Sequence, residues 1–403
     1  SFLVFYSPAS FSFTLKELYE VSLQNSEAIR VKKLDVEIAR KTHSQVFSAI
    51  LPTLSLSSTK TIREASSSAG AFGETEQTNS SIELSQTLFK GGAEYFSLPA
   101  SRQSIKVSEL NLKAYEIQYY DDLSSKFFNT LKLRQEINII QRQINNLLQQ
   151  VTTLKNRARI GKNRQTDVLA AQTQLARTVA ESSQIKLQLQ LAENDLRQYC
   201  ALNNISELID NNTVDSLKIN SAWEQKILKS PNIEALEVQI EISDDQLAVA
   251  RSSFLPSLKL DGNYYLQRSG ILKDSDWDIT LSAEWNLFNG GYDQAEKKKK
   301  LYEKNQYELK LSQLRRQKQI EFESTLTNFQ QNIEIVKQLD HAVQLSKKNY
   351  EQHKKDMNQG LVNQLDVLRV LQDYLQTERT YNQYYFTTKY TWHKLKALAG
   401  ETL

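Results

Sequence analysis

The chain has 403 residues and a net charge of +3, from 50 Lys and Arg against 47 Asp and Glu, a balance that does not by itself indicate nucleic acid. Only 11 Gly and 5 Pro interrupt it, and a mean hydropathy of −0.53 is too polar for one large core; long helices with narrow apolar seams fit better. The single cysteine, Cys200, excludes an intrachain disulfide framework and a cysteine-rich metal site.

Residues 1–12 begin with an apolar run, Phe2 to Tyr6, followed by small residues, and read as the remnant of a cleaved signal peptide or an N-terminal extension. From Phe13 the pattern is helical until Leu51-Pro52, where the period changes to two. Leu54 and Leu56 alternate with Thr53, Ser55 and Ser57, predicting a strand over about 53–64. Ile82, Leu84 and Leu88 alternate with Glu83, Ser85 and Thr87, predicting its partner over about 79–89. The polar stretch 65–77 joins them, and Gly91-Gly92 ends the pair.

Between 95 and 160 there is no Gly and no Pro after Pro99, which allows a helix of roughly 60 residues, about 90 Å long. Leu133, Ile137, Ile140, Ile144, Leu147, Val151, Leu154 and Ala158 recur at alternating steps of four and three, the seam of a coiled coil. Gly161 breaks the pattern. Val168, Gln172, Leu175, Val179 and Ser182 then carry a weaker seam on a returning helix, so a helical hairpin is expected over about 95–200.

After a connecting segment at 203–225 the pattern repeats. Pro256 answers Pro52 at an offset of 204 residues (256 − 52), and Leu287-Phe288-Asn289-Gly290-Gly291 answers Leu88-Phe89-Lys90-Gly91-Gly92 at 199 (287 − 88). Gly360 with Asp366-Val367-Leu368 answers Gly161 with Asp167-Val168-Leu169 at the same 199. The first structural repeat is therefore placed at 13–202 and the second at 226–403. Its strands are expected at about 257–267 and 276–288, and its helical hairpin at about 292–398. Leu258, Leu260, Tyr264 and Leu266 alternate with polar residues on the first of these strands. Trp277, Ile279, Leu281, Ala283, Trp285 and Leu287 alternate with Asp278, Thr280, Ser282, Glu284 and Asn286 on the second. That span has the length of a tilted membrane strand, and its two tryptophans fit an interfacial girdle. Four strands close no barrel alone, so pooling between chains is expected.

Signatures of catalysis are absent from the sequence: there is no phosphate loop, no dinucleotide fingerprint and no zinc-protease motif. His43, His341, His353 and His393 are scattered, without a second ligand at helical spacing. Catalytic, cofactor and metal sites are all expected to be lacking. The run Lys297–Lys300 reads first as a solvated helix face and second as a set of ammonium groups near lipid phosphates.

The ordered set of helix, Leu-Pro, strand pair, Leu-Phe-(Lys/Asn)-Gly-Gly, long helix, Gly and Asp-Val-Leu, occurring twice, resembles the TolC-like outer-membrane efflux proteins. The resemblance implies a mainly α fold with a β membrane domain. Each protomer of a homotrimer would give four strands to a shared 12-stranded barrel and a duplicated pair of long helices to a periplasmic α-barrel, with 203–225 in its equatorial belt. It implies an exit duct of a tripartite efflux pump or type I secretion system, in the outer membrane with its helical portion in the periplasm. A periplasmic adaptor would dock at the hairpin tips, Ile160-Gly161 and Gly360-Leu361-Val362, and an inner-membrane transporter would supply the energy. Trp277, Ile279, Leu281 and Trp285 would meet outer-membrane lipid. The resemblance also implies an acidic periplasmic gate at Asp366 with its repeat-mate Asp167, and Arg369, where the family pattern has a second acid, is the residue expected to close it. The alternative is a coiled-coil scaffold of the periplasm without a membrane domain.

Overall fold

A computed structural model describes residues 12–62, 76–205, 207–269 and 272–402. Of the expected signal-peptide remnant or N-terminal extension at 1–12, all but Ser12 lies outside the described residues, as do 63–75 of the first strand connection and 270–271 of the second. In chain order the elements are β1 (Ser12–Phe13), α1 (Leu15–Asn25), α2 (Glu27–Ser48), β2 (Thr53–Ile62), β3 (Glu76–Lys90), α3 (Ala93–Arg159), α4 (Gln165–Tyr199), β4 (Glu207–Leu208), a 3-10 turn (Val214–Ser216), α5 (Trp223–Ile227), α6 (Pro231–Ser252), β5 (Ser257–Gln267), β6 (Trp277–Glu284), α7 (Tyr292–Asn358) and α8 (Gln364–Leu398). The mainly α class with four long strands per chain is as the periodicity predicts. One end differs: β6 stops at Glu284, although the alternation continues to residue 288.

Two compact units form, and neither is one half of the sequence. One draws on the segments up to 31, 113–230 and 316–403, the other on 32–112 and 231–315. Each unit therefore takes material from both repeats.

The first unit is helical. A Thr14–Glu17 capping box starts α1, whose Leu18 and Tyr19 pack with Ile29, Tyr120, Leu123, Phe127 and Leu196. The α3 seam is buried as its spacing predicts, with Leu147, Val151 and Leu154 against Val168 and Ala171, and Leu133 and Ile140 against Ile185. On α4 the expected seam is kept at Val168, Leu175 and Ser182 but not at Val179. Val179 is 45% exposed, while Thr178 is buried, its hydroxyl donating to the Gln174 carbonyl at 3.0 Å. The buried positions Val168, Ala171, Thr178, Ser182 and Ile185, with half-buried Leu175 between Ala171 and Thr178, keep the steps of three and four through polar residues. Hydrophobicity alone misplaces such a seam, because an intrahelical hydrogen bond lets Thr be buried at little loss.

The connecting segment between the repeats is held by side chains of α7 and α8. Leu217, Trp223 and Ile227 pack with Phe322, Phe329 and Leu395. Lys389, almost wholly buried, donates to Asp210 and to the Asn212 carbonyl. Arg379 joins α8 to α3 and α4 through Glu136 at 2.7 Å and Glu181 at 2.5 Å.

His393 sits in this interior with its Nδ1 2.5 Å from the Tyr120 hydroxyl, between Phe128 and Trp392. Burial, then Lys396 and Lys389, push its pKa down to about 3. An unfolded histidine titrates near 6.5. Between these values the unfolded chain binds a proton that the folded chain refuses, so the His393 contribution is intact above about pH 6.5 and is lost as pH falls toward 3. Asp121, pushed up to about 6 by burial, acts in the opposite sense over part of this range. The readout is therefore a difference. His393→Asn is expected to flatten the pH dependence of unfolding free energy by about 1.4 kcal/mol per pH unit between pH 6 and 4. Parallel curves for parent and variant would mean that His393 is protonated in the fold.

The second unit carries the sheet, in the order β2-β3-β5-β6 with every pairing antiparallel. Ala100 and Leu110 of α3 pack with Ala235, Val238 and Ile242 of α6. Ion pairs Arg40–Glu109, Lys304–Asp244 and Arg315–Glu237 lie on the surface of these helices, where each contributes little.

Candidate functional site

The register of the sheet collects the alternating residues of four strands into two opposed faces. Residues directly opposite one another share a face. Leu54 lies opposite Leu84, Leu84 opposite Gly262, and Gly262 opposite Ile279. The next row is Leu56, Ile82, Tyr264 and Trp277; a third joins Gln86, Leu260 and Leu281, and a fourth Phe89, Leu258 and Ala283. This face is an apolar band, and Leu54, Leu56, Trp277, Ile279 and Leu281 on it are 63–72% exposed. An uncovered apolar patch of this extent marks a surface for lipid or for another protein.

The reverse face is polar. Its rows are Thr53, Ser85, Asp261 and Thr280, then Ser55, Glu83, Asn263 and Asp278. Asn263 donates to Asp278 at 2.8 Å, Lys259 pairs with Asp261 at 2.9 Å, and Arg268 reaches Asp278 at 3.3 Å while stacking on Tyr265. Ser57 donates to Glu83 at 2.6 Å.

Two leucines do not follow their expected face. The register shifts between Thr87 and Phe89, which leaves Leu88 as an extra residue and brings Phe89 into the apolar row. It shifts again between Ser80 and Ser81, where the partners are Gln267 and Tyr265 and Leu266 is the extra residue. Each bulge adds one residue and so reverses the alternation beyond it. Trp285 lies past the end of β6, 60% exposed, with its indole N–H donating to the Phe254 carbonyl at 3.0 Å.

Both hairpin turns have the same construction. Lys162 N–H donates to the Arg157 carbonyl at 2.9 Å and Gly161 N–H to Ala158 at 3.1 Å; Leu361 N–H donates to Asp356 at 2.9 Å and Gly360 N–H to Met357 at 3.1 Å. This double closure needs a left-handed residue, supplied by Gly161 at φ 72° and Gly360 at φ 80°. Ile160 is 66% and Leu361 71% exposed at these tips, and Val362 is half-buried.

The three residues expected at a gate start the returning helices. Asn363 and Asp366 form a reciprocal capping box, with Asp366 N–H donating to Asn363 at 2.9 Å and Asn363 N–H to Asp366 at 3.3 Å. Asp167 is in the first turn of α4, approached by the Asn163 amide at 3.4 Å. Arg369 is exposed one turn after Asp366, and among the described residues the chain itself pairs it with neither carboxylate.

Elsewhere the chemistry is structural. His43 bonds Ser101 at 2.7 Å, His353 bonds the Asn349 carbonyl at 3.0 Å, and Cys200 is buried with its thiol pushed up to about 11 by burial. Lys299 and Lys300 of the basic run pair with Glu296 and Glu303. Among the described residues no three His, Cys, Asp or Glu side chains gather as metal ligands, and no helix is long and apolar enough to cross a membrane. Sequence reasoning missed the buried Lys389–Asp210 pair; nothing in the spacing of those residues signals it.

A long-helix protein with a free-edged, two-faced sheet has known counterparts. The sequence profile of the outer membrane efflux protein family matches residues 18–202 and again 223–401, and the chain belongs to that family of outer-membrane proteins. Its similarity extends to the outer membrane protein TolC of Vibrio cholerae, 23% identical over 297 residues, which cover 71% of this chain and 65% of TolC, just under two thirds of that relative's length. Among solved structures, CusC superposes with a TM-score of 0.87 at 18% identity, covering 99% of this chain and 96% of CusC. The Campylobacter jejuni CmeC outer membrane channel gives 0.85 at 17% identity, covering 99% and 90%. The Neisseria gonorrhoeae MtrE outer membrane channel, in its open state, gives 0.82 at 19% identity, covering 96% and 89%. The fold is shared throughout.

Proposed function

We propose that this protein is the outer-membrane exit duct of a tripartite efflux pump or type I secretion system. The observation that carries the reading is the sheet: one face apolar and open, the other charged, with a free edge on β2 and another on β6. Three copies of four strands close one barrel, with Trp277, Ile279, Leu281 and Trp285 toward lipid and Asp278, Thr280 and Glu284 toward a water-filled lumen. Closure removes the unpaired edges that a single sheet presents. The family and its solved relatives are channels, and the chain's part in transport is passive: it supplies a path, while an inner-membrane transporter supplies the energy through a periplasmic adaptor. The exposed tips Ile160-Gly161 and Gly360-Leu361-Val362 are the adaptor contact. A coiled-coil scaffold of the periplasm would leave the apolar band of the sheet without a partner, and is not favoured.

The returning-helix starts are proposed to form the gate. Three copies would place Asp366, Asp167 and Arg369 in rings, where clustered carboxylates favour cations. Capping is the local role of Asp366, and a ring would add to it. Planar-bilayer conductance of the detergent-purified protein tests the duct and gate together. A cation-preferring pore is expected, with Asp366→Asn weakening the preference and Arg369→Ala raising closed-state conductance. Parent-like conductance in both variants moves the constriction elsewhere, and a protein that stays soluble without detergent and forms no pore overturns the duct.

A further inference from the structure

The base of the sheet makes the same corner twice, and one of the two is open. Gln86 and Trp285 are repeat-mates at the 199-residue offset, and Ile50 and Phe254 at the 204-residue offset. Gln86 donates to the Ile50 carbonyl at 2.7 Å, and Trp285 to the Phe254 carbonyl at 3.0 Å. The two offsets therefore hold in three dimensions at this corner, although the side chains differ.

Beyond Gln86, β3 continues to Lys90 against β5, with Gln86 opposite Leu260, Phe89 opposite Leu258 and Lys90 opposite Ser257. Gly91 follows at φ 61° and is buried; a Cβ there would stand 2.1 Å from the Ser252 carbonyl oxygen. Among the described residues, the mates of these beyond Trp285 have no strand partner. Leu287 and Phe288 are 81% and 85% exposed. Gly290 has the same left-handed backbone, φ 57°, and nothing within 4 Å of its Cβ position. Ser48, the mate of Ser252, is exposed, and β2, the mate of β5, is an edge strand paired on one side only.

We infer that residues 285–289 extend β6 only against β2 of a second copy of this chain, in the register that β3 adopts on β5. The inference rests on the proposed pooling of strands between chains and specifies the contact. Transferring each pair by its repeat offset places Phe288 opposite the partner's Leu54 and Trp285 opposite the partner's Leu56. Leu287 takes the bulge position of Leu88. Gly290 seats on the partner's Ser48 carbonyl. The positive φ accounts for a glycine at Gly290 within one chain; the second chain adds an oxygen where a side chain would stand.

Asparagine tolerates positive φ yet carries a Cβ, so it separates contact from backbone strain. The 403-residue chain is purified in detergent and its mass measured. Gly290→Asn is expected to keep the parent circular dichroism while lowering the trimer fraction about tenfold. Gly291→Asn is expected to trimerise like the parent, because at its mate Gly92 the nearest atom to a Cβ is 3.8 Å away. Gly91→Asn, by contrast, is expected to disturb the protomer itself. Independently, Leu54→Cys with Phe288→Cys is expected to give a disulfide-linked trimer on a non-reducing gel, and Leu54→Cys with Leu287→Cys is not. A trimeric parent whose Gly290→Asn variant assembles equally well, with no 54–288 cross-link, overturns this register and leaves the pooled barrel standing. A monomeric parent overturns both.

Discussion

An arginine at Leu281 is expected to prevent stable assembly in the membrane, whereas an arginine one residue earlier, at Thr280, is expected to be accepted. Leu281 lies in the apolar row opposite Leu260 and is 64% exposed in one chain. On the proposed reading that exposure is to hydrocarbon, where an arginine near the bilayer midplane costs about 2–4 kcal/mol in each copy. Thr280 lies opposite Asp261 on the charged face, where a guanidinium meets water and carboxylates. Denaturant titration of barrel folding into lipid vesicles reads the difference. Thr280→Arg should fold at the parent midpoint and shift ion preference toward anions. Equal losses at the two positions would remove the assignment of faces, because a soluble sheet open to water on both sides makes no such distinction.

The second large effect lies far along the sequence, at Lys389. Its ammonium group is almost wholly buried, and Asp210 beside it is 11% exposed. Lys389→Met fills the volume but leaves a buried carboxylate without its counter-ion and the Asn212 carbonyl without its donor. Removing one member of such a pair typically destabilises by about 3–5 kcal/mol. Urea unfolding followed by helical circular dichroism is expected to show a loss of that size, with the connecting segment released first to proteolysis. The double variant Lys389→Met/Asp210→Leu should recover most of it, since the cost comes from the unpaired charge. A loss below about 1 kcal/mol in the single variant would mean that water reaches the pair.

The repeat was legible because it is written in local signals. Steps of three and four along α3, alternation along β5 and β6, and the Leu-Pro and Gly-Gly breaks each need only neighbouring residues to be recognised. The tip glycines were legible for the same reason: a left-handed helix end calls for glycine whatever lies around it. The candidate gate was less so. Asp366 satisfies its own helix start through Asn363, and the proposed rings of charge need other copies of the chain.

The amino-acid pattern alone determined the mainly α class, the two helical hairpins, the four strands and the apolar character of one sheet face, since helix and strand periods are properties of consecutive residues. The tertiary structure decided which residues leave that pattern. Leu88 and Leu266 step out of the apolar row because the facing strand is one residue shorter at each bulge. Thr178 takes the seam position expected of Val179 because α4 is set by what it packs against. Trp285 and Gln86, unlike in chemistry, donate to the carbonyls of repeat-mates Phe254 and Ile50, contacts that only the fold brings together. β6 ends at Glu284, opposite Ser257, where its partner β5 begins. In each case the outcome depends on a partner distant in sequence, and a period read along one segment carries no information about the partner's register.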